Sequence, residues 1–127
     1  MGIFSKPMNP QILVVDDEAP LREVLSLYLR KKGFDVATAF TVKGAMELLD
    51  NSQFHLAILD ANLESECGLN LLGLLKSRHA QLPVIIFSGS PDEDLPRKAF
   101  AAGANGFIHK TQSLHELFAE VCRHISA

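Results

Sequence analysis

The sequence predicts an α/β protein in three layers, a doubly wound parallel sheet of five strands with helices on both faces. Three observations predict it. Short aliphatic runs alternate with amphipathic stretches five times along the chain. No turn signal joins two of the aliphatic runs directly, so each strand must be followed by a crossover. A polar or charged group stands at the C-terminal end of nearly every run, the edge where open parallel sheets build their ligand crevices.

The elements follow in order. Ile12-Leu13-Val14-Val15 is unbroken and aliphatic, as expected of a central strand covered on both faces. Asp17-Glu18-Ala19-Pro20 then offers a capping carboxylate and a first-turn proline. Leu21, Val24, Leu25 and Tyr28 recur at helical spacing, and Gly33 stops the helix. Phe34 to Ala39 alternates in part and reads as a strand nearer the sheet edge. Thr41 caps a helix with Ala45, Met46, Leu48 and Leu49 inward. Leu56 to Leu59 is the third strand, and Ala61 to Cys67 a loop. Gly68 opens a helix rich in leucine at 69, 71, 72, 74 and 75. Pro83 to Phe87 is the fourth strand, followed by a helix over about Asp92 to Ala102 that ends at Gly103. Gly106 to His109 is a short fifth strand, and Ser113 caps a last helix through Leu114, Leu117, Phe118, Val121 and Ile125.

At 127 residues the chain makes one domain with a real core. Hydrophobic content of 47% beside 21% charged residues is ordinary for a globular protein. A net charge of −3 gives no basic surface for direct nucleic-acid binding. The apolar runs fall far short of the roughly 18 residues of a membrane span, and Met1 to Pro10 lacks the apolar region of a signal peptide. Residues 1–10 read as a flexible lead-in. Cys67 and Cys122 form neither a metal spacing nor a disulfide framework, in keeping with a cytoplasmic protein. The five histidines read as surface or strand-end residues.

Folding brings the strand ends together. Asp16-Asp17, Asp60, Ser88 and Lys110 then share one cleft. Each alone has an ordinary explanation: a helix cap, a turn serine, a solvated lysine. Their convergence on one sheet edge does not. Adjacent carboxylates repel unless one is protonated or a hard cation sits between them. Mg2+ suits such oxygen ligands, with Mn2+ able to replace it. A free carboxylate beside the ion can act as a nucleophile toward phosphorus, with Lys110 as a second cation.

Val14-Val15-Asp16-Asp17-Glu18, Ile58-Leu59-Asp60 with Gly68-Leu69 following, Ile85-Ile86-Phe87-Ser88-Gly89, Ala102-Gly103-Ala104 and Gly106-Phe107-Ile108-His109-Lys110 stand in a telling order and spacing. Over Gln11 to Ile125 the chain resembles the receiver domain of bacterial two-component response regulators. The resemblance implies the flavodoxin-like strand order 2-1-3-4-5 and a receiver domain over residues 11–127. It implies Asp60 as the phosphoacceptor, fed by a sensor histidine kinase or phosphotransfer protein. Asp17 would ligate Mg2+ directly with Asp60 and the backbone carbonyl of Asn62, and Asp16 mainly through water. Lys110 would pair with the phosphoryl group. Ser88 would swing to hydrogen-bond it, and Phe107 would rotate into the space vacated. Gly89 would leave room for the phosphoryl group. The face of the fourth helix, fifth strand and fifth helix would then signal to a partner or output domain. Beyond its own phosphorylation and dephosphorylation the chain would be no enzyme, and it would be a monomer or weak dimer.

Three positions depart from the family's habit. Thr111 stands where many members have a proline with a cis bond; Glu64 and Cys67 replace a frequent proline and aspartate; Ala104-Asn105-Gly106 lacks the acidic pair of many dimerising members. Two other readings compete. A pseudo-receiver would use the fold as a phosphorylation-independent interaction module. A phosphohydrolase would need a general acid two residues after its nucleophile, where this chain has Asn62, which cannot protonate a leaving group. The chain ends just after its last helix, which suits a complete regulator and a piece of a longer one equally.

Overall fold

The structure is a computed structural model and describes residues 9–63 and 66–125. Most of the expected lead-in, over residues 1–8, lies outside the described residues, as does Glu64. Five strands, β1 (Gln11–Val15), β2 (Asp35–Ala39), β3 (Leu56–Leu59), β4 (Val84–Ser88) and β5 (Gly106–His109), form one parallel sheet. Helices α1 (Ala19–Lys31), α2 (Val42–Asn51), α3 (Gly68–Arg78), α4 (Leu95–Ala101) and α5 (Leu114–His124) connect and cover them. The spatial order β2-β1-β3-β4-β5 is the order the sequence resemblance implied. The register pairs Val15 with both Ala39 and Leu59, so the strand ends carrying the polar groups line up.

Alternation along each strand divides the core into two layers. Leu13, Val15, Ala57, Leu59, Val84 and Ile86 face α2, α3 and α4, whose Ala45, Leu49, Leu71, Leu72, Leu75, Leu95 and Ala99 complete that cluster. Ile12, Val14, Leu56, Ile58, Ile85, Phe87 and Ile108 face Leu25 and Leu29 of α1 and Leu117 and Val121 of α5. Central strands buried on both faces explain why their sequences are unbroken aliphatic runs. On β2 only Ala39 is buried, as its edge position requires.

Two helix starts are capped as the sequence predicts. Thr41 Oγ1 accepts the Gly44 N–H at 3.0 Å, and Ser113 Oγ accepts the Glu116 N–H at 3.1 Å. Replacing either by alanine is expected to cost about 1 kcal/mol, read as a lower urea midpoint with an unchanged slope.

The structure corrects four expectations. Neither Asp17 nor Glu18 caps α1: Glu18 holds the N-cap position without a side-chain bond. Asp16 Oδ1 instead accepts the Glu18 N–H at 2.9 Å, a turn that leads into the helix. The buried stripe of α1 is Leu25, Ser26 and Leu29, whereas Val24 is 49% exposed. Helix α4 begins at Leu95 rather than Asp92, because Asp92 is engaged in a turn: its Oδ1 accepts the Asp94 N–H and its carbonyl the Leu95 N–H. Pro96, with no N–H to give, fits only that first turn. Finally, the predicted loop after β3 contains a two-residue antiparallel ribbon pairing Asn62 with Cys67 and Leu63 with Glu66. Strands of that length carry too few residues to leave a pattern.

Candidate functional site

The C-terminal ends of β1, β3, β4 and β5 meet at one edge of the sheet. Asp16 follows β1 directly, with its N–H on the Ala39 carbonyl at 3.1 Å and its carbonyl holding Arg22 Nη1 at 2.7 Å. Asp60 follows β3 in the same way, its N–H on the Val15 carbonyl at 2.9 Å and its Oδ1 accepting the Asn62 N–H at 2.9 Å. Both are nearly enclosed, at 2% and 4% exposure, so two carboxylates are held together away from water.

Lys110, the first residue past β5, supplies the compensation. Its Nζ lies 3.0 Å from Asp16 Oδ2, 3.2 Å from Asp60 Oδ2 and 3.3 Å from Glu18 Oε1, with the Phe87 ring 5.9 Å away. Its backbone is fixed by an N–H bond to the Ser88 carbonyl at 2.8 Å. Burial raises the Asp60 carboxyl above its ordinary range and the neighbouring Asp16 charge adds to this, while the Asn62 N–H and Lys110 oppose it. Burial by itself would lower the Lys110 ammonium. The Asp16 and Asp60 carboxylates outweigh it and the net direction is upward.

One carboxylate oxygen from each of Asp16, Asp17, Glu18 and Asp60 lies within 4.8 Å of those of the other three. An all-oxygen anionic set of this kind fits a hard divalent cation such as Mg2+ or Mn2+. A second observation fits too. Asp16 Oδ2 is buried with no hydrogen bond among the described residues, and the Lys110 ammonium faces it at 3.0 Å. Glu18, Asp60, Asn62, Gly89, Ser90 and Lys110 line a shallow cleft of about 270 Å3 over this cluster. A larger cleft of about 750 Å3 opens at the opposite end of the sheet, past the C-termini of α2 and α3. Among the described residues the ion pair that lines it, Arg78 with Asp50 at 3.8 Å, is half exposed. The acidic cluster and Lys110 lie at the smaller cleft.

The structure thus brings Asp16, Asp17, Asp60 and Lys110 together, with Asn62 at the rim. Ser88 is fully buried beneath, its Oγ turned onto its own loop where it accepts the Ser90 N–H at 3.0 Å. Phe107 is half-buried, packed against the cluster under α2, α3 and α4. At Gly89 a Cβ would stand 3.5 Å from the Lys110 side chain, in ordinary contact. Two residues had no place in the site as read from the sequence. Glu18, 62% exposed at its side chain, pairs with Lys110; its place beside Asp16-Asp17 was the available signal. Ser90 was hidden because its part depends on loop geometry. No cis peptide bond occurs among the described residues, so Lys110–Thr111 is trans.

The response regulator receiver domain family model matches residues 12–122. Regulatory protein VanR of Enterococcus faecium is 33% identical over 114 residues, covering 90% of this chain and 49% of that protein. Response regulator protein PilR of Pseudomonas aeruginosa is 36% identical over 105 residues, covering 83% of this chain and 24% of that protein. The chain therefore spans about half, or less, of the length of these curated relatives. Among solved structures, a response regulator receiver protein from Pseudomonas putida superposes with a TM-score of 0.86 at 31% identity, covering 93% of this chain and 99% of that one. The receiver domain of NtrX from Brucella abortus gives 0.85 at 32% identity, covering 89% and 96%.

Proposed function

The chain belongs to the response regulator receiver domain family, and from that premise we propose that it accepts a phosphoryl group on Asp60 from a sensor histidine kinase or phosphotransfer protein. The observation that carries this reading is the pair of enclosed carboxylates, Asp16 and Asp60, held against one lysine at the mouth of an open cleft. Such a cluster is expensive to maintain. A phosphorylation-independent interaction module would have no use for it.

In the proposed step an Asp60 carboxylate oxygen attacks the phosphorus of a phosphohistidine. The new O–P bond forms as the P–N bond breaks, and the departing imidazole takes up a proton from solvent. Asp17, Asp60 and the Asn62 carbonyl would hold Mg2+, with Asp16 acting through water. A bound Mg2+ supplies charge neutralisation on the transferring oxygens. Lys110 keeps its place beside Asp60 and pairs with the incoming phosphoryl group, a charge-assisted contact. Ser88 turns from the Ser90 N–H to a phosphoryl oxygen, and Phe107 fills the space left under β4. The surface of α4, β5 and α5 changes with it, a shift between two populations driven by those new contacts.

The receiver unit comprises residues 11–127, and its chemistry is confined to its own phosphorylation and dephosphorylation. No helix of the described residues is long and apolar enough to cross a membrane, and a kinase-fed switch of this kind works in the cytoplasm. Intact mass after incubation with Mg2+ and a small acyl phosphate tests the proposal. The expected gain is one phosphoryl group, absent with a chelator and absent in Asp60→Asn. No gain, under conditions where calorimetry shows Mg2+ bound, would refute it.

A further inference from the structure

Thr111 stands where a proline would have had no N–H, and the structure shows what that N–H does. It donates to His109 Nδ1 at 3.2 Å, and Thr111 Oγ1 lies 2.8 Å from the same nitrogen. The other ring nitrogen, Nε2, lies 3.0 Å from the Ser90 carbonyl. A carbonyl can only accept, so Nε2 carries the proton. Nδ1 is then bare and accepts from Thr111, and every partner of the ring agrees on one neutral tautomer. His109 is further fixed by its own N–H, which donates to Gln112 Oε1 at 2.8 Å.

The ring thus joins two loops. One carries Lys110; the other, Ser88 to Ser90, carries the hydroxyl that is to meet the phosphoryl group. Ser90 is held at both ends of its backbone, its N–H on Ser88 Oγ at 3.0 Å and its carbonyl on His109. Ser88 cannot turn away from its loop without releasing the first bond, and the second keeps Ser90 in place to re-form it.

We infer that His109, set by Thr111, is a positioning residue: a latch on Ser90 that holds the Ser88 loop in its unphosphorylated arrangement and slows phosphorylation of Asp60. The inference rests on the proposed function, since it concerns the rate of that same step. One neutral hydrogen bond between two loop states changes their ratio about five-fold. His109→Phe removes the donor to Ser90. It is expected to raise the initial rate of Mg2+-dependent phosphorylation by a small acyl phosphate about three- to ten-fold. It should also speed hydrogen exchange at the Ser90 and Thr111 amides of the unmodified protein. His109→Gln, whose side-chain amide can still donate to the Ser90 carbonyl, should restore slow exchange at the Ser90 amide and a rate near wild type.

The arms separate the failures. Wild-type rate and exchange in His109→Phe, with phosphorylation of the wild type observed, would overturn the latch and leave the proposed function standing. Equal behaviour of the Phe and Gln variants, both with lowered thermal midpoints, would overturn it by assigning His109 to the scaffold alone. A wild-type chain that takes up no phosphoryl group would overturn the proposed function and, with it, the latch's role.

Discussion

Gly68→Ala is expected to lower the thermal midpoint by about 10 °C, corresponding to about 3 kcal/mol of lost stability. Gly68 opens α3 where that helix passes over the turn leaving β3. A Cβ there would stand 2.1 Å from the Asp60 carbonyl oxygen, 2.8 Å from Ala61 Cα and 2.9 Å from the Ala61 carbonyl carbon. All three are backbone atoms, which cannot rotate aside as a side chain would. The Gly68 N–H also bonds the Ala61 carbonyl at 2.9 Å, so the helix cannot back away without losing that bond. The strain falls on the peptide that carries the Asp60 carboxylate, so the site should shift together with the fold. Gly73, in the middle of the same helix, is the control: a Cβ there meets nothing within 4 Å. Gly73→Ala should therefore gain about 0.5–1 kcal/mol through helix propensity. Thermal unfolding followed by circular dichroism reads both. Equal midpoints for the two variants would show that α3 adjusts freely over the β3 turn, contrary to the close approach seen here.

What the sequence revealed and what it hid have physical causes. The central strands were legible because burial on both faces demands unbroken aliphatic runs, as at Ile12 to Val15 and Leu56 to Leu59. Thr41 and Ser113 were legible because a cap is a local bond between residues three apart. The start of α4 was not, since Asp92 and Leu95 suit a turn as well as a helix and only tertiary packing chooses. Val24 was misplaced because the inward stripe of α1 is set by how the helix sits on the sheet, and Leu29 took the deep position. Within the site, Asp16, Asp17, Asp60 and Lys110 were marked by their strand-end positions. The pairing of Glu18 with Lys110 spans 92 residues of sequence and depends on side-chain reach. The tie between His109 and Ser90 likewise exists only once β4 and β5 are in register.

Lys110→Met should lower stability by about 3 kcal/mol at neutral pH without metal, the low end for breaking a buried ion pair because the Lys110 side chain is still 15% exposed. Methionine keeps most of the volume and none of the charge, leaving Asp16 and Asp60 facing each other with no cation among them. The pH dependence has a definite sign. The folded-state Lys110 ammonium titrates higher than it does unfolded, so its contribution is fully present below its ordinary value of about 10.4 and is lost as pH rises through the shifted one. The folded-state Asp60 carboxyl is also raised, and for an acid this means a cost of folding. That cost is absent below the ordinary carboxylate value of about 4 and fully present once pH exceeds the raised one. Removing Lys110 raises Asp60 further, so the deficit of the variant should be largest near pH 7 and shrink as pH falls toward 4. Mg2+ supplies the discriminating comparison. In the wild type, a cation entering the Asp16, Asp17 and Asp60 cluster would compete with Lys110 for the Asp16 and Asp60 carboxylates; in the variant that competitor is gone. Excess Mg2+ should therefore stabilise Lys110→Met more than the wild type, by mass action on a tighter site. Urea unfolding with chelator and with Mg2+ measures the difference directly. Equal stabilisation of both chains would mean that lysine and ion do not share their carboxylates, and the acidic cluster would then lose its standing as the metal site.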